Sequence, residues 1–466
     1  MGVPGRGGAA LRTVGTADGG RPSGATLGVA VACLGFFLIM LDSTVVNVAA
    51  PVIGAEVGGG ISGMQWVVNA YVLVFAASLL SSGAVSDRIG AVRALGCGLA
   101  LFGAASVACA AAPSLSWLVA ARAAQGLGAA LILPSSLALI RQSADDAASR
   151  ARRITLWAMS GGVAVSAGPV VGGVLTSGLG WQAVFWINVP LCALGLALGR
   201  TPASEPRPAP LDLPGQAAAV VGLASLTYAI VEDGPLSRWA LVVFGLAAAG
   251  FVLAEIRAPH PVVPPALVRS PAALTAVGTG FVMNASFFGI VFVFTLYFQQ
   301  LKAHGPLVTG LMFVPLTALT LVGNLVAGRL MTRLGTWRIL TLSQAVEALG
   351  CLALLLAGPG APPALVLLFF LPIGLGAGAT SPPMTNALLD AVDPAHAGAA
   401  GGLLGVMRQV GGLLGVAVFG AVVAGLGVTS GTRLSLALCL TMLAVSSALA
   451  LVQARRHPVE RPEGKG

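Results

Sequence analysis

The sequence predicts an all-α membrane protein with fourteen transmembrane helices, arranged as two six-helix bundles and two inserted helices. Three observations predict it. Charged residues are only 9% of the chain and hydrophobic residues 56%, with a mean hydropathy of +0.92, whereas a soluble domain carries about 25% charge. The apolar residues come in long continuous runs rather than in alternation, which excludes a transmembrane β-barrel. The arginines that separate those runs fall almost entirely on one side of the expected membrane.

A spanning helix needs about 20 apolar residues. Fourteen candidate spans cover 26–50, 65–85, 94–112, 116–140, 154–176, 182–199, 214–231, 238–256, 272–296, 307–328, 339–357, 364–388, 401–426 and 434–451. The Gly- and Arg-rich stretch 1–25 reads as a disordered tail. It is not a cleavable signal, because the apolar run behind it far exceeds a signal core. With the first residues in the cytoplasm, 20 of the 25 Lys and Arg residues lie on the cytoplasmic side. Three (Arg238, Lys302 and Arg433) lie outside, and Arg122 and Arg408 are intramembrane. The positive-inside rule therefore puts both termini in the cytoplasm. It also accounts for the net charge of +9 without a nucleic-acid partner.

The chain repeats at an offset near 248 residues. Gly126-Leu127-Gly128-Ala129 in the fourth span recurs as Gly374-Leu375-Gly376-Ala377 in the twelfth, and Pro134 answers Pro382. The loop Gly83 to Gly90 is echoed by Gly328 to Gly335. Residues 26–200 are thus expected to form one six-helix bundle and 271–453 the other. Residues 201–270 hold a linker and a two-helix insert, and 454–466 a cytoplasmic tail. Two homologous bundles around a central site are the architecture of alternating access.

The first span carries Asp42 inside a run of roughly 25 largely apolar residues, where a carboxylate costs about 3 kcal/mol or more on insertion scales. By helical rise it lies about 12 Å below the outer end of its helix, and Arg122 of the fourth span about 9 Å below its own. Their similar depth allows an ion pair, with Gln125 and Asn47 as further partners. Either a protonation switch or a static structural pair fits these residues. After the second span, Gly83, Asp87, Arg88 and Gly90 form a turn. Gly83 admits a close neighbour, Gly90 a sharp bend, and Asp87 suits the amino end of a facing helix. The competing reading is an ordinary charged turn. In the fifth span, Gly168, Gly172 and Gly173 give a flat packing face and Pro169 a bend, either a pliable seam between bundles or generic packing.

In the second half, Glu347 and Arg408 are each about 11–12 Å from the cytoplasmic end of their helices. They pair with each other or with separate partners, and with Asn47 they are candidates for a substrate or second charge site; the competing reading of Glu347 is a peripheral buried acid with a local partner. Asn284 and Asn386 are candidates to line a central cavity. Glu232 and Asp233 read as solvated loop charges. The six cysteines sit in apolar segments without a CxxC pair, and the four histidines are isolated, so no metal site is expected. No nucleophile set and no Walker-type loop is present, so neither an enzyme nor an ATP-driven pump is expected.

Together these residues resemble the major facilitator superfamily. The fourteen spans and Leu41-Asp42-Ser43-Thr44-Val45-Val46-Asn47-Val48-Ala49 are similar to its fourteen-helix drug:proton antiporter family, over about Ala25 to Arg455. The resemblance implies that Asp42 is the proton-linked acid and Arg122 its partner. It implies a gating loop of Gly83, Asp87, Arg88 and Gly90. It also implies an exporter kink at Gly168-Pro169, with Gly172 and Gly173. Arg408-Gln409-x-Gly-Gly matches a string common in the thirteenth helix. One departure stands out: the family's loop continues Gly-Arg-Arg/Lys, and here Ala91 and Val92 follow Gly90, with Arg93 the nearest base. The expected protein is a monomeric exporter of small amphipathic organic compounds in a bacterial plasma membrane. It uses no cofactor and is driven by the proton gradient. A proton-linked importer or facilitator is the alternative.

Overall fold

The computed structural model describes residues 24–143, 146–199, 213–258, 263, 265–358, 360–393 and 396–457. The two expected tails and the linker Thr201–Pro214 lie largely outside these residues. The described chain is helical throughout: α1 (Gly24–Val57), α2 (Gly60–Ile89), α3 (Ala91–Ala110), α4 (Leu115–Gln142), α5 (Ala147–Leu179), α6 (Ala183–Trp186), α7 (Asn188–Leu198), α8 (Leu213–Val231) and α9 (Pro235–Arg257). After α10 (Pro265–Arg269) come α11 (Pro271–Leu296), α12 (Pro306–Met312), α13 (Val314–Leu334), α14 (Thr336–Ala357), α15 (Pro363–Asp390) and α16 (Ala397–Arg456). Twelve described helices are long and apolar enough to cross a membrane.

Local chemistry brings the described passes to fourteen. Pro190 has no N–H for the carbonyl of Trp186, and one apolar segment is accordingly cut into α6 and α7. Pro315 does the same to Leu311 at the boundary of α12 and α13. The 60-residue α16 is two arms joined at Gly427, whose φ of 74° no helix contains. Gly90 (φ 88°) ends α2 and starts α3, and Gly335 (φ 82°) does the same between α13 and α14. A Cβ is strained in that backbone region.

Helices α1 to α7 pack mainly among themselves, with α1 on α5 and both α2 and α3 on α4. In the second half α11 packs on α16, and α13 and α14 on α15. The approach is closest at glycines. A Cβ on Gly126 would meet the backbone oxygen of Tyr71 in α2, and one on Gly374 that of Leu316 in α13. Likewise a Cβ on Gly128 would lie 2.8 Å from the amide nitrogen of Phe102 in α3, and one on Gly376 2.6 Å from that of Glu347 in α14. The sequence repeat is thus a repeat of backbone contacts. It pairs Phe102 with Glu347.

The insert lies outside both halves. Helix α9 buries none of its residues, while α8 touches α2 and α16. Glu232 is not a free loop charge. Ser62 Oγ and Trp66 Nε1 both donate to it at 2.7 Å, tying the α8–α9 turn to α2. A solvated charge was expected because no sequence spacing links residues so far apart.

Call the side on which α1 begins the terminal face, and the other the far face. The hydrogen bonds that join the two halves lie in the far halves of their helices. Gln65 Nε2 reaches the carbonyls of Val416 and Ala417, Gln299 Nε2 that of Val48, and Ser177 Oγ accepts from the amide of Leu307 at 3.1 Å. Ser166 and Thr317 exchange bonds at 3.0 and 3.2 Å. This arrangement is closed toward the far face.

Filling a glycine contact should be costly. Gly374→Val forces a side chain into the Leu316 carbonyl and should lower stability by about 1–3 kcal/mol or more. Gly401→Val, at a position with nothing within 4 Å, should be near neutral. Thermal unfolding of both variants in detergent checks the contrast, and equal melting temperatures would refute the close-approach role.

Candidate functional site: a buried carboxylate and guanidinium

Asp42, Arg122, Gln125 and Asn188 are all 1% exposed or less, at the meeting of α1, α4 and α7. Asp42 faces α4, whose glycines let α2 and α3 approach it at backbone distance. Arg122 Nη1 donates to Asp42 Oδ2 at 2.5 Å and to Gln125 Oε1 at 2.7 Å, and its Nε donates to the carbonyl of Val67 at 2.9 Å. Its guanidinium carbon sits 4.4 Å from the centroid of Tyr71 and 5.7 Å from that of Phe185, which adds cation–π attraction.

The other carboxylate oxygen is equally occupied. Gln125 Nε2 donates to Asp42 Oδ1 at 2.9 Å and Asn188 Nδ2 at 2.8 Å. Since Gln125 Oε1 accepts from Arg122, its amide has only one workable orientation. Ser106 Oγ accepts from Gln125 Nε2 at 2.9 Å and donates to the carbonyl of Phe102 at 2.7 Å. Three N–H groups therefore converge on one carboxylate. A proton added to Oδ2 would displace the Arg122 bond, because an O–H cannot accept along the direction in which it donates.

The sequence placed Asp42, Arg122 and Gln125 together, and the structure joins them. Asn47 stands apart: it donates to the carbonyl of Ser43 at 2.7 Å, one turn back on its own helix. Asn188 takes the place expected for it. The sequence held a signal, since Asn188 is the one amide in the apolar segment 183–198. Tyr71, Ser106 and the Val67 carbonyl were not legible, because backbone acceptors and aromatic faces have no spacing rule.

The gating-loop residues sit at the terminal face. Asp87, Arg88 and Arg93 are exposed. Gly90 makes its bend, but Gly83 has no neighbour within 4 Å of where a Cβ would stand, so the close helix expected there is not found among the described residues. Asp87 likewise accepts no hydrogen bond from another described residue. The reason is geometric: the halves meet at the opposite end of the molecule.

In α5 the glycines do meet other helices. A Cβ on Gly168 would strike Thr44 Oγ1, and one on Gly172 would lie 2.7 Å from the carbonyl oxygen of Val45, both in α1. A Cβ on Gly173 would lie 2.6 Å from the carbonyl oxygen of Pro306, and the carbonyl of Pro169 fills the space beside Gly310 of α12. One short stretch of α5 thus touches α1 on one side and the second half on the other.

Glu347 and Arg408 do not pair. Glu347 is fully buried and accepts from Ser286 Oγ at 2.6 Å, while its Oε2 has no partner among the described residues. Arg408 Nε lies 3.5 Å from Asn284 Oδ1. Asn284 and Ser286 are two residues apart on α11, so they project about 200° from one another, and the two charges are held on different faces of that helix. Asn386 is exposed near the terminal end of α15, with Nδ2 3.9 Å from Met331 Sδ.

Residues 32–416 match the sequence profile of the Major Facilitator Superfamily. The chain is 36% identical over 416 residues to the methylenomycin A resistance protein of Streptomyces coelicolor, covering 87% of each chain. It is 36% identical to the drug efflux pump JefA of Mycobacterium tuberculosis, covering 84% of this chain and 79% of that one. It is 32% identical to the tetracenomycin C resistance and export protein of Streptomyces glaucescens, covering 87% and 76%. A solved peptide transporter, POT, in complex with alafosfalin superposes with a TM-score of 0.69 at 16% identity, covering 93% and 96%, a likeness of fold. With a matching profile across most of its length and relatives of this identity and coverage, the chain belongs to the Major Facilitator Superfamily and is a multi-pass membrane transporter.

Proposed function

We propose that the chain is a proton-coupled antiporter that exports small amphipathic organic compounds, of the kind named in its relatives as antibiotics and drugs, from the bacterial cytoplasm. The Asp42 network carries this reading. It is a carboxylate buried at mid-membrane depth, with a cation whose bond to it a proton would displace. The arginine bias supports a cytoplasmic terminal face, so the far-closed arrangement is open inward.

Helix α1 is the coupling element. Asp42 faces α4, while Thr44 and Val45, two and three residues later, seat on Gly168 and Gly172 of α5. Gly173 and Pro169 in turn touch α12. When an external proton neutralises Asp42, Arg122 loses its partner and α1 is released from α4. The glycines it slides against hold the seam between the halves. Loss of that proton to the cytoplasm restores the pair. One proton crossing 100 mV supplies about 2.3 kcal/mol, which sustains a roughly fiftyfold gradient of a neutral molecule. No cofactor and no second copy of the chain enters this cycle. The relatives' names favour export over import.

Asp42→Asn should abolish pH-gradient-driven export in proteoliposomes while leaving substrate binding and folding intact. Full gradient-driven transport by this variant would refute the role of Asp42, and substrate accumulation along the imposed proton gradient by the wild type would indicate import. The ion pair itself is open to a double-mutant cycle. Arg122→Ala leaves a buried unpaired carboxylate and should cost about 3–5 kcal/mol. The Asp42→Asn/Arg122→Ala double variant should recover most of that stability, measured by chemical unfolding; simple additivity would show that the two groups do not interact.

A further inference from the structure

Arg408 is a cation without a carboxylate. It lies 11 residues into the first arm of α16 and is only partly buried. Among the described residues no acid approaches within ion-pair distance of it, and its one hydrogen bond is the long contact from Nε to Asn284 Oδ1 at 3.5 Å. Glu347, the nearest candidate in sequence logic, is committed to Ser286 across α11. The other intramembrane guanidinium is unavailable to any ligand, since Arg122 is 1% exposed and bonds to Asp42, Gln125 and the Val67 carbonyl.

An unpaired guanidinium in an apolar bundle is costly. It is tolerated where something else supplies the negative charge. Arg408 is built to receive it. Gly280 of α11 leaves the side-chain stem room, with Cγ 3.1 Å from the position of an absent Cβ. The Nε contact to Asn284 Oδ1 at 3.5 Å lies along one edge of the group. The two Nη nitrogens are then left as the planar fork that holds two oxygens of one anion.

We propose that Arg408, oriented by Asn284, binds an acidic oxygen group, a carboxylate or an enolate, on the exported molecule. The inference rests on the export reading and narrows its substrates to organic anions with an apolar body. With an anion in place Arg408 gains the counter-charge it otherwise lacks, and the ligand lies against α11 and α16, the latter carrying the far-face contacts of Val416 and Ala417 with Gln65 of the first half.

The test uses one skeleton in three charge states: 1-pyrenebutanoate, its primary amide and 1-pyrenebutylamine. Binding to the full chain in maltoside micelles, free of anionic lipid, is read by quenching of tryptophan fluorescence. The wild type should bind the carboxylate at least about tenfold more tightly than the amide, and the amine weakest. Arg408→Gln should abolish that preference and leave amide affinity within about twofold; Arg408→Lys should keep part of it. Asn284→Asp, which supplies Arg408 with an internal anion, should also abolish it and guards against misfolding of the Arg408 variants. Asp42→Asn should retain it. Equal binding of carboxylate and amide by the wild type, or a preference that survives Arg408→Gln, would overturn the proposal. Neither result bears on gradient-driven export, which is measured separately.

Discussion

A charge inside an apolar slab must be answered by the protein itself, and the architecture of the first half follows from that requirement. Asp42 alone would cost about 3 kcal/mol or more to insert. It is retained with three N–H donors, one of them a guanidinium, drawn from α4 and α7. Gly126 and Gly128 let α2 and α3 approach α4 at backbone distance, which brings the Val67 carbonyl, the Tyr71 ring and Ser106 against Arg122 and Gln125. The glycines and the charged pair are therefore one feature. Remove the close approach and the Val67 carbonyl, the Tyr71 ring and Ser106 withdraw from Arg122 and Gln125.

The two halves share that backbone frame but fill it differently. At the offset of 248 residues, Arg122 corresponds to Phe370 and Gln125 to Ile373, so the second half has no cation where the first has one. Phe370 instead stacks with Phe313 at 5.8 Å, within a cluster that includes Phe294 and Phe298. At the offset of 245 residues Phe102 corresponds to Glu347, so an acid stands in α14 where α3 has a ring. Duplication fixed the helix spacing through glycine, and side-chain chemistry then diverged within it. The acid of the second half is left with one hydroxyl donor, whereas the acid of the first half has a full set.

Much of this was legible in the sequence. The spans, their number, the repeat and the Asp42–Arg122–Gln125 group follow from apolar run length, glycine spacing and helical rise. What was missed shares a cause. Asn188, Tyr71 and Phe185 join the site from elements that sequence separation cannot relate to it. Glu232 looked like a loop charge because its donors, Ser62 and Trp66, lie about 170 residues away. Gly83 and Asp87 suggested a contact that exists only if the terminal ends of the halves meet, and a sequence does not say which end is closed. Glu347 and Arg408 have compatible depths, but depth does not fix the face of α11 on which each is held.

The unequal treatment of the buried charges sorts their roles. A carboxylate ringed by donors and locked to a guanidinium has nothing to offer a bulky ligand, and only something as small as a proton can enter such a set and disturb it. A guanidinium with one weak bond and an accessible face is the reverse: it is unfit as a lock and suited to a partner that comes and goes. The first kind of site lies in the first half and the second kind in the second half. Under the proposed cycle, the far-face contacts of α5 with α12, and of α2 with α16, would carry a change at one site to the other. In that cycle the proton and the cargo occupy separate sites rather than one shared pocket, and the division of charge between the halves is consistent with that separation.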